Sequence, residues 1–159
     1  MLCVLGEETP DRKQYIFTEF DPMKGRGREL TRVTLKQPVV DYSWDLSRDG
    51  SRLAFVENES GSAKRIQILP LSGGEAREVV IQGEIQMSYI DWAIDGKGFY
   101  GGSSDRQLLF VDMDGHTEVL WKRETTWGLG SQGLPSPDGR HLAMLGWTNN
   151  SNVRMLENF

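Results

Sequence analysis

The residues able to do chemistry in this chain are few and widely spaced. Its 159 residues include two histidines, His116 and His141, and a single cysteine, Cys3. Two imidazoles and one thiol without close spacing do not make a transition-metal ligand set. Asp112-Met-Asp114-Gly115 opens like a calcium loop. Such a loop needs further oxygen ligands at set intervals and a closing bidentate acid, and Glu118 comes too soon. The segment reads instead as an Asp-Gly hairpin, a turn that favours φ > 0 at both central residues. Gly130-Ser131-Gln132-Gly133 and Gly101-Gly102-Ser103 miss the Gly-x-Ser-x-Gly elbow, and no strand–turn–helix context exposes a nucleophile. Glu7 with Glu8, and Asp91 with Asp95, are charges on turns or strands. A glycosidase needs two carboxyls about 5–9 Å apart across a sugar, which sequence alone assigns to no pair. The expectation is a non-enzyme with no catalytic, cofactor-binding or metal-binding residue.

Candidate binding residues are also sparse. Lys24-Gly-Arg26-Gly-Arg28 is the one basic cluster, read as a solvated loop between two strands. The net charge is −5 and the pI about 5.1, a balance that repels phosphate backbones and disfavours nucleic acid as a partner. Trp44 and Trp92 sit at equivalent repeat positions and read as core, because aromatic rings bring large area to packing between units. Trp127 precedes and Trp147 follows a later unit, and Trp147 is a candidate anchor for a protein partner. Asn58-Glu-Ser60 and Asn149-Asn-Ser151 match the glycosylation acceptor pattern but fall in expected turns. Cys3 lies in the apolar run Met1-Leu-Cys-Val-Leu5 and reads as a buried thiol. That run is too short for a signal-peptide core, and no segment approaches transmembrane length, so no membrane insertion is expected. The compartment stays open.

The positioning elements are strands. Tyr15-Ile-Phe-Thr-Glu-Phe20, Arg52-Leu-Ala-Phe-Val56, Arg65-Ile-Gln-Ile-Leu69 and Gln107-Leu-Leu-Phe-Val111 are short, β-branched or aromatic, and bounded by turn residues. Three Asp-Gly turns, Asp49-Gly50, Asp95-Gly96 and Asp138-Gly139, recur at intervals of 46 and 43 residues. Strands and tight turns at that period are the signature of β-propeller blades. The turns align two full four-stranded units. Strands A to D of the first cover 39–46, 52–57, 64–69 and 76–81; those of the second cover 87–94, 98–102, 107–112 and 117–121. A third unit has strands over 132–136, 141–147 and 153–156. An initial one has 2–5, 13–20 and 30–35, without a strand A. The expected architecture is all-β: a propeller segment of about four four-stranded antiparallel blades, the outer two incomplete, over 1–37, 38–83, 84–124 and 125–159. Three assemblies fit: part of a larger ring, two copies closing one ring as a homodimer through open blade edges, or a four-bladed monomer.

Ser43-Trp44-Asp45-Leu46-Ser47-Arg48-Asp49-Gly50-Ser51-Arg52-Leu53-Ala54-Phe55 and Leu134-Pro135-Ser136-Pro137-Asp138-Gly139-Arg140-His141-Leu142-Ala143-Met144 resemble the WD-like repeats of TolB-type propellers. In that family a serine-proline-aspartate-glycine turn joins the two inner strands, and a small residue follows in strand B. The middle unit, Asp91 to Tyr100, is looser: it lacks the serine two before its aspartate, and Tyr100 replaces the small residue. The stretch from Gly130 to Phe159 also resembles the propeller regions appended to bacterial serine/threonine kinases and winged-helix regulators. These resemblances imply a non-catalytic protein-interaction or ligand-sensing module of a larger bacterial signalling or envelope protein. The alternative is the propeller portion of a dipeptidyl-peptidase-like hydrolase, gating a separate catalytic domain. A glycan-active propeller enzyme would instead gather several Asp, Glu or His side chains on one face. Fold alone does not choose between them.

Overall fold

The computed structural model describes residues 3–36, 41–58, 64–83, 87–103, 107–122 and 132–145. Their regular structure is strand throughout, arranged in four antiparallel sheets. The first holds β1 (Val4–Glu8), β2 (Gln14–Asp21) and β3 (Gly25–Thr34). The second holds β4 (Asp41–Leu46), β5 (Arg52–Asn58), β6 (Arg65–Pro70) and β7 (Arg77–Val80). The third holds β8 (Met87–Trp92), β9 (Gly98–Ser103), β10 (Gln107–Asp112) and β11 (Thr117–Lys122). The last pairs β12 (Gln132–Pro135) with β13 (Leu142–Leu145). Within each sheet the strands follow chain order. The strand expected over 153–156, Trp127, Ser131, Trp147 and Asn149 lie outside the described residues.

Sheet-on-sheet burial explains the sequence pattern. In β5 the run Leu53-Ala54-Phe55-Val56 is fully buried. Its side chains alternate: Leu53 and Phe55 join Phe17, Val33 and Leu69 against the first sheet, while Ala54 and Val56 join Ile90, Trp92, Phe99 and Val111 against the third. A strand covered on both faces reads as continuous apolar sequence instead of alternating. Trp92 is 3% exposed and packs on Phe99 at 4.4 Å; Trp44 meets Phe17 edge-on at 5.2 Å and is only half-buried. Both tryptophans are therefore packing residues of successive sheets.

The three Asp-Gly turns are built alike. Gly50, Gly96 and Gly139 have φ of 70°, 70° and 69°. Their N–H groups donate to the carbonyls of Ser47, Ala93 and Ser136. In the outer two repeats the serine adds a second lock. Ser47 Oγ donates to Asp49 at 2.7 Å and accepts from the Arg52 N–H, and Ser136 Oγ does the same with Asp138 and His141. Ala93 cannot. Asp49 is held down at about 2, first by the Ser47 hydroxyl and then by the Ser51 N–H. Ser47→Ala is therefore expected to destabilise by about 1 kcal/mol, and Ala93→Ser to stabilise by a similar or smaller amount. Urea midpoints check both. The Asp49 contribution is present above its unfolded pKa and disappears as pH falls through about 2, so the Ser47→Ala gap should narrow in acid. A gap that widens would refute the assignment.

Four readings need correction. The Asp112–Gly115 turn has positive φ only at Gly115 (86°), because its N–H reaches back to the Asp112 carbonyl and the aspartate stays in ordinary backbone. Asn58 ends β5 instead of lying in a turn; it is 1% exposed and its amide donates to the Ser88 carbonyl at 2.8 Å, so it is no glycosylation acceptor in the folded chain. The basic cluster is not a loop, since β3 starts at Gly25 and carries Arg26 and Arg28. Arg26 pairs with Glu7, Arg28 with Glu19 and Lys24 with Asp21. Cys3 is half-buried, not buried.

Candidate functional site

The first strands of three successive sheets, β4, β8 and β12, lie side by side without sharing a ladder. Side chains bridge them instead. From β4, Ser43 Oγ accepts the Ile90 N–H at 3.0 Å, and the Asp45 carboxylate accepts the Trp92 N–H at 2.7 Å. The Trp92 indole returns a bond to the Asp45 carbonyl at 3.2 Å. At the next junction Tyr89 stands where Ser43 stood one repeat earlier, and its hydroxyl accepts the Gly133 N–H at 2.7 Å.

Asp91 occupies the position of Asp45, and the donor it should meet is the N–H of residue 135. That residue is proline, which has no N–H. Proline is tolerated there because this edge of β12 faces away from β13. Asp91 thus has no hydrogen-bond partner among the described residues. Burial, followed by the neighbouring Asp45 charge, pushes its carboxyl up to about 6. Asp45 is also raised by burial, opposed by the N–H groups of Trp92 and Leu46. Burial raises the Tyr89 phenol as well.

Two adjoining hollows meet at Asp91 and Leu134. One, of about 440 Å³, is lined by Ser43, Trp44, Tyr89, Ile90, Ala143 and Met144; the other, of about 330 Å³, by Asp45, Leu46, Arg48, Trp92, Ala93, Ile94, Pro135 and Pro137. Leu134 is 63% exposed and Met144 47%. Arg48, the cation of this lining, is turned to the Pro137 carbonyl. The result is an apolar groove with one carboxylate that nothing described neutralises.

The other candidate residues make structural contacts. Asp112, Asp114 and His116 bring ligand atoms within 4.8 Å of one another. Yet Asp112 already accepts the N–H groups of Asp114 and His116, and its second oxygen meets the His116 ring at 3.0 Å. The turn grips the neighbouring sheet: Arg77 donates to the Met113 carbonyl, Gln82 to those of Asp114 and Gly115. Ser103 is 3% exposed and accepts the Gln107 N–H. Asp95 accepts the Lys97 N–H within its turn, Glu7 and Glu8 pair with Arg26 and Arg12, and His141 is exposed beside the Ser136 turn.

No family model and no curated protein matches the sequence. Solved structures do. A TolB-like protein from Agrobacterium tumefaciens superposes with a TM-score of 0.52 at 18% identity, over 89% of this chain and 53% of its own. This is a TolB-like propeller fold. Hydrazine synthase from Kuenenia stuttgartiensis is similar at a TM-score of 0.53 and 16% identity, over 89% of this chain and 42% of that one. The propeller segment thus spans about half the length of these structures or less. Its sheets are blades, and β4, β8 and β12 are the A strands. The Asp45–Asp91 convergence on these strands was missed in the sequence, although aligning the repeats puts Pro135 opposite Trp92 and so carried the signal.

Proposed function

We propose that the propeller is a non-catalytic interaction or ligand-sensing module of a larger bacterial signalling or envelope protein, and that the A-strand groove is its binding face. The observation carrying this reading is the combination at one spot of exposed Leu134 and Met144 with Asp91, which has no hydrogen-bond partner among the described residues. Monomer surfaces keep apolar patches small unless something covers them. The groove's other acid, Asp45, is tied down by two backbone donors. A rigid scaffold presenting such a surface suits recognition better than turnover.

Peptides selected by display on the immobilised chain test the site. They should slow peroxide oxidation of Met144 while leaving Met23, 92% exposed on a separate turn, unprotected. Protection of neither, or of Met23 instead, would displace the binding face from this groove.

A further inference from the structure

We propose that the groove recognises a lysine side chain of a protein partner, its ammonium seated on Asp91 and its stem lying against Leu134 and Met144. This rests on the proposed binding face and names what that face takes. Position 91 is built to accept a hydrogen bond: in the preceding repeat Asp45 takes the N–H of Trp92 at 2.7 Å. Pro135 removes the equivalent donor, so the carboxylate retains its acceptor capacity at the meeting point of both hollows. A half-buried carboxylate without a partner is costly, and an external cation offsets that cost. The walls are apolar, which selects a cation carried on a flexible hydrocarbon stem over a hydrated ion. Among the described residues of the lining the one cation, Arg48, is engaged with Pro137.

The site should be pH-dependent. Asp45 faces Asp91 from β4, Tyr89 lies on β8 itself, and Arg48 projects from the turn after β4. The described lining residues from β12 and β13, Leu134, Pro135, Ala143 and Met144, carry no charge. Asp91 binds a cation only when ionised. Affinity therefore rises as pH climbs through about 6 and falls below it.

The test uses the full chain and a dye-labelled, acetylated and amidated pentapeptide, Gly-Leu-Lys-Leu-Gly, beside its norleucine counterpart. Fluorescence anisotropy should show the lysine peptide binding at least about tenfold more tightly at pH 7.5, with that advantage lost at pH 5. Asp91→Asn should erase the advantage and its pH dependence. Pro135→Ala, which keeps the carboxylate but supplies an internal donor, should weaken lysine binding more than norleucine binding and so shrink the lysine advantage. Equal binding of both peptides, with Met144 protected, overturns the lysine assignment while the binding face stands. If neither peptide binds or protects Met144 while display-selected peptides do, the lysine assignment again falls alone. Selected peptides that leave Met144 unprotected remove the binding face as well.

Discussion

Replacing Gly115 with alanine is expected to destabilise the propeller by more than about 2 kcal/mol. Two costs combine. Gly115 has φ of 86°, where an L side chain is strained, and a Cβ there would lie 1.9 Å from the Val80 carbonyl oxygen of the neighbouring blade. That oxygen belongs to backbone, so relief requires moving β7 or the turn. Either movement loosens the bonds from Gln82 and Arg77 that clamp the two blades together. Gly73→Ala is the matched control, with nearly the same φ of 89° but nothing within 4 Å. It should cost only about 1 kcal/mol, the conformational part alone. Urea unfolding of both variants reads the difference. Equal midpoints would mean that the blade contact at Val80 contributes nothing.

Pro135→Ala should lower the Asp91 pKa from about 6 by about one unit or more, toward the ordinary carboxylate range. The restored N–H would meet Asp91 as the Trp92 N–H meets Asp45, favouring the ionised form. Carbon-detected NMR of the side-chain carboxyl measures this directly. The linkage follows. With Asp91 raised in the wild-type fold, ionisation opposes folding as pH passes from the unfolded value up through about 6, so wild-type stability falls across that window. In the variant the fall should shrink. An unchanged Asp91 titration would show that β12 does not sit in register with β8 as Trp92 sits with β4.

The strands were legible because local pattern decides them. Gln107–Asp112 matches its expected bounds, and Arg52–Asn58 extends only one residue further. Both are apolar runs between strong turn residues. β3 was harder: it begins at Gly25, five residues before the expected start at 30, because its first half is Arg and Gly. Strand periodicity is read from hydrophobic residues, and an exposed stretch that satisfies its charges against Glu7 and Glu19 leaves no such trace. The turn at Asp112 was recognised as a turn, but its grip on the neighbouring blade was not, since that contact joins residues more than thirty positions apart.

Sequence alone determined the repeat, the strand content and the Asp-Gly corners, because each follows from interactions among residues a few positions apart. It also contained Pro135, but not the meaning of that proline. Only the tertiary structure decided that Asp45 meets the Trp92 N–H of the next blade, forty-seven residues along the chain, while Asp91, facing Pro135, finds no donor among the described residues. A hydrogen bond, or its loss, depends on distance in space, and here packing of successive blades sets that distance.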